Sequence, residues 1–167
     1  QTVARASADT EADIYRAVDE IARQLLAGRH KGPAEGLARL ALATTSSFPA
    51  LKAYLEGERR LREGAFGPAV EAFQTAIAAD TTFALAALDL RRAAGWTKLD
   101  ADIALGARVL RTHRARLSLP DRALYDVMEG QWLSAPDMFG KWNAAVSAYP
   151  ERPETWYGLG DSYFHWG

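Results

Sequence analysis

The chain contains no cysteine. This absence excludes disulfide bonds, thiolate zinc sites and cysteine nucleophiles together. It does not identify the compartment, because a chain without thiols tolerates oxidising and reducing conditions equally. The sequence also begins at Gln1, without an initiator methionine or a signal-peptide pattern. We therefore expect a processed or partial chain whose ends are completed elsewhere.

An excess of charge and long apolar runs are lacking as well. The 20 basic and 21 acidic side chains leave a net charge of −1, which provides no electrostatic footprint for nucleic acid. Apolar stretches such as LARLALA and FALAALDL fall short of the roughly 18 residues that a membrane span requires. With 49% hydrophobic and 25% charged residues, the composition is typical of a soluble globular protein.

Motifs for catalysis, phosphate binding and metal binding are missing too. The three histidines lie far apart, and none has a second metal ligand three or four residues away. Gly158 and Gly160 do not form a dinucleotide loop, because Tyr163 occupies the place of the third glycine and no strand precedes them. No serine has His and Asp partners that can be placed beside it. We expect no catalytic residue, no metal site and no cofactor.

Apolar side chains recur at the spacing of one-sided α-helices almost throughout the chain. An N-terminal helical hairpin is predicted within residues 1–48, and Pro49 suits the first turn of the next helix. No β-hairpin signal occurs, so the pattern predicts an all-α protein. The helices predicted after the hairpin fall at about 50–63, 68–79, 83–96, 100–117, 120–133 and 137–149.

The predicted helix pairs carry a repeated pattern. Ala69, Phe73 and Ala76 have the spacing A-x3-F-x2-A, and Trp142 and Ala145 keep the aromatic residue and the alanine. The two aromatic residues are 69 positions apart, which is two periods of 34 with one inserted residue. Such a period is typical of stacked helical repeats.

The C-terminal stretch ETWYGLGDSYFHWG continues this pattern. In the phase set by Pro150 it has the spacing W-x2-L-G-x2-Y at Trp156, Leu159, Gly160 and Tyr163. At this point the chain resembles the tetratricopeptide repeat family, over about residues 50–167. The resemblance implies a right-handed superhelix of antiparallel helix pairs, a TPR-like α-solenoid, in which neighbouring pairs share one core.

The repeat phase also divides the chain. A helical lead-in at 1–48 precedes repeats at about 49–83, 84–118 and 119–152, and 153–167 supplies the first helix of a fourth repeat. We expect small residues to let the helices of a pair approach closely, namely Ala69, Ala76, Ala145 and Gly160. We expect large residues to fill the core between helices, namely Phe73, Trp142, Trp156, Leu159 and Tyr163.

A narrower resemblance concerns the region from TTSSFPALKAYLEGERRLREGAFGPAVEAF onwards. It is similar to the repeat region of bacterial multidomain regulators, including membrane-anchored serine/threonine kinases and TolB-like or cyclase-linked proteins. In those proteins the repeats serve as a protein-binding or sensory module. The resemblance implies an extracytoplasmic, periplasmic position. This chain has no glycine-rich loop with its lysine, no HRD and no DFG, so kinase activity is not expected of it.

In the repeat family, partners bind a concave groove lined by the first helix of each pair. Transferred by phase, the groove residues are Tyr54, Glu58, Leu61, Leu88, Arg92, Ala123, Val127, Tyr157, Asp161 and Phe164. Such a mixed apolar and charged wall suits an extended peptide or a helix of a partner protein. The family's clamp for C-terminal carboxylates is not matched, because Tyr54 and Glu58 stand at its lysine and asparagine positions.

A basic helix side adds a second candidate surface, with Arg108, Arg111 and Arg114 in RVLRTHRAR. It is interpreted as a solvated face, or as a contact for an acidic partner or anionic lipid head groups. The sequence as a whole predicts a non-enzymatic protein-interaction scaffold, either an accessory subunit of a larger, membrane-associated assembly or the sensory module of a regulator. The alternatives are an enzyme with a site in the groove and a purely structural spacer.

Overall fold

The structure is a computed structural model that describes residues 13, 17, 45–130 and 134–166. Within these ranges the chain is all-α and contains no strand, which confirms the all-α part of the fold prediction. The predicted N-terminal hairpin lies outside the described residues, apart from Asp13 and Ala17, which are helical. The helices of the described part are α1 (Phe48–Arg62), α2 (Phe66–Ala79), α3 (Ala84–Thr97), α4 (Asp100–His113), α5 (Leu119–Glu129), α6 (Ala135–Ala148) and α7 (Pro153–Trp166).

Serine residues mark the starts of several helices. The Ser47 hydroxyl accepts a hydrogen bond from the backbone N–H of Ala50 at 3.3 Å, and Ser118 accepts one from Asp121 at the same distance. These bonds satisfy N–H groups that lack a partner in the first helical turn. A proline two residues after each serine occupies the first turn, where its missing N–H carries little cost.

The fourth helix is shorter than the sequence predicts. The α-helix ends at His113, and Arg114–Arg116 form a 3₁₀ turn instead of continuing it to residue 117. Tightening of the last turn into 3₁₀ geometry is common at helix C-termini, because it gives the final carbonyl groups nearer partners. Periodicity alone does not distinguish this turn from one more α-helical turn.

The described residues divide into two compact units between Arg116 and Leu117. Unit 1 contains α1 to α4, and unit 2 contains α5 to α7. In neither unit do the described helices combine the length and the apolar character that crossing a bilayer demands.

Helix α3 forms the centre of unit 1. Residues 84–90 are all buried, and Leu88 and Leu90 are among the largest fully enclosed side chains. The helix packs against α2, α4 and α1, so it has almost no solvent-facing side in its first half. Its apolar residues therefore form a continuous run instead of a one-sided stripe.

Two aromatic rings lie directly on glycines of a neighbouring helix. Phe73 of α2 covers Gly57 of α1, where a β-carbon would lie 2.5 Å from the ring. Trp142 of α6 covers Gly158 of α7, where a β-carbon would lie 2.1 Å from the ring. Gly160 was predicted to be a close-packing position, and among the described residues this is wrong: no other helix or side chain of theirs lies within 4 Å of its β-carbon position.

The predicted core is confirmed in α2 and α6 and is partly wrong in α7. Buried as predicted are Ala69, Phe73, Ala76, Trp142, Ala145 and Leu159. Trp156 and Tyr163, also predicted core, are about half exposed. The buried stripe of α7 consists of Thr155, Leu159 and Ser162. Successive helix residues are about 100° apart around the axis. Trp156 follows buried Thr155 and Tyr163 follows buried Ser162, so both rings point away from the buried stripe.

We predict that Gly158→Ala lowers the free energy of unfolding of unit 2 by about 1–3 kcal/mol, because the added β-carbon collides with the Trp142 ring. Gly140 is the matched control, since it lies within α6 and no other helix or side chain in the described ranges lies within 4 Å of its β-carbon position. Gly140→Ala should leave stability unchanged or raise it by up to about 1 kcal/mol. Urea unfolding followed by circular dichroism measures both, and equal stability of the two variants would contradict the ring-on-glycine contact.

Candidate partner-binding surface

Two of the unit 1 residues predicted for the groove, Tyr54 and Arg92, contribute to a buried polar cluster. The ring of Tyr54 packs against Phe73 and Phe83, with centroid distances of 5.8 and 5.2 Å. Its hydroxyl donates to Asp89 Oδ2 at 3.0 Å, and the guanidinium of Arg92 donates to Oδ1 at 2.7 Å. Asp89 is only 3% exposed, so these hydrogen bonds offset the cost of removing its charge from water.

Tyr54 and Leu88 are therefore core residues, which corrects their assignment to an accessible groove. Tyr54 is held between rings and Asp89, and Leu88 lies on the enclosed part of α3. Glu58 and Leu61 on α1 are partly exposed. Glu58 accepts a hydrogen bond at 3.3 Å from an arginine one turn further along the helix. Arg92 is partly exposed and turned towards Asp89.

The α5 residues of the predicted groove line a small pocket in unit 2. The pocket has a volume of about 280 Å³, slightly below the range usual for small-molecule sites. Val127 is buried and Ala123 is partly buried, so neither forms an open wall for an extended peptide. Alanine methyl groups of α6 supply most of the remaining surface. The lining residues are Ala123, Asp126, Val127, Lys141, Ala144, Ala145 and Ala148.

The α7 residues of the predicted groove lie together on an exposed side of that helix. Tyr157, Asp161 and Phe164 are spaced i, i+4 and i+7, and all three are exposed. The Oδ1 atom of Asp161 lies 3.6 Å from Nε2 of His165. The pKa of Tyr157 is raised, mainly by partial desolvation of the phenol and to a lesser extent by the negative charge of Asp161. The phenol is therefore neutral at physiological pH.

Two further aromatic rings extend this exposed surface, and contacts within unit 2 hold both in place. The indole N–H of Trp156 donates to the backbone carbonyl of Pro150 at 2.9 Å. The ring of Tyr163 stacks on Phe139, with a centroid distance of 4.6 Å and an interplanar angle of 19°. We call the resulting surface the α7 aromatic face, and it consists of Trp156, Tyr157, Gly160, Tyr163 and Phe164.

The arginine side predicted on α4 is exposed in unit 1. Arg108, Arg111 and Arg114 all face solvent. Arg116 is exposed as well and donates a hydrogen bond to the Thr82 hydroxyl. This arrangement is compatible with a solvated face, and binding of an acidic partner by these arginines stays a prediction.

Sequence reasoning missed two buried carboxylates, Asp89 and Asp121. Asp121 accepts hydrogen bonds from Arg152 at 2.7 Å and from the Ser118 hydroxyl at 2.5 Å. For Asp89 a signal existed, because an aspartate inside an apolar run is followed three residues later by Arg92. For Asp121 the partner is 31 residues away, so no local pattern reveals it. In the described ranges, no group of three or more His, Asp or Glu side chains could hold a metal ion.

Comparisons with protein-family models, with curated proteins and with solved structures found no match to this chain. Its function must therefore be inferred from its own residues and their contacts. Of the predicted groove residues, Tyr157, Asp161 and Phe164 are the set that the structure brings together on one exposed surface.

We predict that Tyr54→Phe lowers the free energy of unfolding by about 1–3 kcal/mol, because buried Asp89 loses one of its donors. Tyr54→Ala should cost more, about 3–5 kcal/mol, since the ring contacts with Phe73 and Phe83 are lost as well. Chemical denaturation of the two variants measures this order. A Tyr54→Phe variant as stable as the original chain would show that the hydroxyl is not needed by Asp89.

A second prediction concerns the exposed charge cluster of α1. Arg59 and Arg60 donate to Glu56 at 2.6 and 2.7 Å, and these hydrogen bonds lower the pKa of Glu56 from 4.5 to about 2. Its folded-state pKa is depressed, so the stabilising contribution is fully present above about pH 4.5 and is lost as the pH falls towards 2. In Glu56→Gln, unfolding free energy should therefore decline less steeply over this interval. Parallel pH profiles for the two chains would contradict the ion pairing.

Proposed function

We propose that the chain is a non-enzymatic protein-interaction module built from tetratricopeptide-like helical repeats. Its helix pairs would stack antiparallel into a right-handed superhelix, and it would act as an accessory subunit of a larger assembly or as the sensory part of a regulator. The observation that carries the proposal is the α7 aromatic face, a cluster of large exposed rings on a helix that packs against α6. Contiguous exposed apolar surface of this kind is typical of protein contact sites.

Side-chain hydrogen bonds in unit 1 support the repeat part of this proposal. Three of them join residues 34 or 35 positions apart: Thr45 with Asp80, Tyr54 with Asp89, and Thr82 with Arg116. A recurrent span close to 34 is expected when each repeat contacts the corresponding part of the next. This support is independent of the sequence pattern, since most of these residues do not belong to it.

The Asp80 contacts illustrate how such spans are stabilised. Burial by itself would raise the pKa of Asp80, but hydrogen bonds from Thr45 and Thr82 and the charge of Arg116 outweigh it and hold the pKa below its ordinary value. Asp80 is therefore ionised at neutral pH and accepts from both threonines. Its hydrogen bonds with Thr82 stabilise the turn between α2 and α3. Its hydrogen bond with Thr45 connects this turn to the segment that precedes α1.

The ring-on-glycine contacts support the pairing of successive helices. In unit 1 the ring of α2 lies on a glycine of the preceding helix, and in unit 2 the ring of α6 lies on a glycine of the following helix. In a stacked helical repeat the second helix of a pair packs on both of these neighbours. Phe73 and Trp142 are also the two aromatic residues that the repeat phase relates.

The composition of the α7 aromatic face indicates the kind of contact. Trp and Tyr are enriched where binding energy concentrates at protein interfaces, because they bury a large area with few rotatable bonds. Asp161 and His165 border the rings and add a polar edge. Apolar rings with a polar edge are the usual arrangement of a specific protein contact.

The test replaces exposed rings without disturbing the core. We predict that Tyr157→Ser combined with Phe164→Ser removes the partners that the original chain retains on an affinity matrix from a lysate of the source cells. Leu119→Ser is the matched control, because Leu119 is an equally exposed large apolar residue of unit 2 outside α7. Quantitative mass spectrometry of the retained proteins gives the readout. Identical protein sets for the double variant and the control would contradict the proposal.

A further inference from the structure

The α7 aromatic face is symmetric about Gly160. Trp156 and Phe164 lie four residues before and after this glycine, and Tyr157 and Tyr163 lie three residues before and after it. At about 100° per residue, all five positions fall within about 120° of the helix circumference, with Gly160 at the middle. The face therefore presents an aromatic pair, a glycine and an aromatic pair in either chain direction.

Gly160 has no packing role among the described residues of unit 2. It is exposed, and no other helix or side chain of this described part lies within 4 Å of its β-carbon position, in contrast to Gly158 beneath the Trp142 ring. Glycine weakens a helix interior relative to alanine, so this position carries a cost that packing within unit 2 does not explain. A glycine at the middle of an exposed face allows a second helix to approach closer than the usual 8–10 Å between helix axes.

We propose that α7 pairs antiparallel with α7 of a second copy of this chain, about a two-fold axis that passes beside Gly160. The inference rests on the proposed function, because it names the partner of the same face. A two-fold axis requires a self-complementary surface. In this arrangement Gly160 meets Gly160 of the other copy, Trp156 faces Tyr163, and Tyr157 faces Phe164.

The exposed area of the face is sufficient for such a contact. Trp156 is 53% exposed, Tyr157 58%, Tyr163 52% and Phe164 85%. With aromatic side chains of about 150–250 Å², these fractions leave about 500 Å² of ring surface open on each copy. Complete burial of these rings on both copies would remove about 1,000 Å² from water before any rim residue is added, which reaches the lower limit for a specific protein interface.

Two of the four rings are already fixed in position. Trp156 is held by its hydrogen bond to the Pro150 carbonyl, and Tyr163 is held by its stack on Phe139. Side chains that are ordered before binding lose little conformational freedom when the second copy docks. The charged residues of α7 leave the aromatic sector free, because Glu154 and Asp161 lie outside it. Glu154 pairs with Arg152, and Asp161 lies 3.6 Å from His165.

Sedimentation velocity of the purified chain over a concentration series tests the proposal. We expect a concentration-dependent dimer, and we expect Gly160→Glu to weaken it roughly tenfold to a hundredfold, because a bulky carboxylate then meets its own copy at the axis. Glutamate is a good helix former, so α7 should remain folded, and circular dichroism checks this. Gly95→Glu is the matched control, since Gly95 is also helical and exposed, and the described residues make no contact at its β-carbon position.

Either of two outcomes overturns the proposal: an original chain that stays monomeric at all concentrations, or a Gly160→Glu chain that dimerises as the original does. The absence of cysteine allows a separate test of the geometry. Because only the central position meets its own copy, Gly160→Cys should form a covalent dimer on mild oxidation, whereas Gly95→Cys should not. A dimer without cross-linking at position 160 would rule out the antiparallel arrangement.

The same variants separate this inference from the proposed function. If the original chain is monomeric but Tyr157→Ser with Phe164→Ser still removes retained proteins, the face binds a different protein, and only the self-pairing fails. If the double variant changes neither self-association nor the retained proteins, both proposals fail. If Gly160→Glu abolishes the dimer while Gly95→Glu does not, the self-pairing is supported directly.

Discussion

Phe73 lies on Gly57 and Trp142 lies on Gly158, and in each contact the ring occupies the volume that a β-carbon would fill. Because ring and backbone meet directly, the two helices come close enough for short side chains to close the rest of the interface. Ala69 and Ala76 are buried around the first contact. Interfaces made from alanine and one large ring leave little room for adjustment, so this contact fixes how α1 meets α2 and α6 meets α7.

Buried carboxylates with hydrogen-bond partners complement this apolar packing. Asp89 and Asp121 are both buried, and each accepts hydrogen bonds from an arginine and a hydroxyl group. Removing one partner of such a buried group leaves a charge without compensation, so substitution of any partner is strongly destabilising. Tyr54 and Asp89 are 35 positions apart, and Asp121 and Arg152 are 31 apart. These hydrogen bonds therefore select among the many ways in which alanine-rich helices could slide past one another.

Helix existence and much of the core could be predicted from the sequence, because apolar periodicity and capping residues are local signals. Ala69, Phe73 and Trp142 were placed correctly in this way. The exposed side of α7 could not be, since the motif W-x2-L-G-x2-Y assigns Trp156 to the core, whereas burial depends on which neighbour is present. Tyr54 was misplaced for a related reason: repeat phase specifies a helix face, but not the carboxylate of Asp89 that draws the hydroxyl inwards.

The extensive helix–helix contacts within each unit join helices that are adjacent along the chain or separated by one helix, such as α1 with α2 and α3 with α4. Contacts of this kind close short loops, so little chain entropy is lost before the stabilising contact forms. Proteins dominated by such contacts fold quickly. Each helix can therefore dock as soon as its predecessor is in place, and a chain of this design can order progressively during its synthesis.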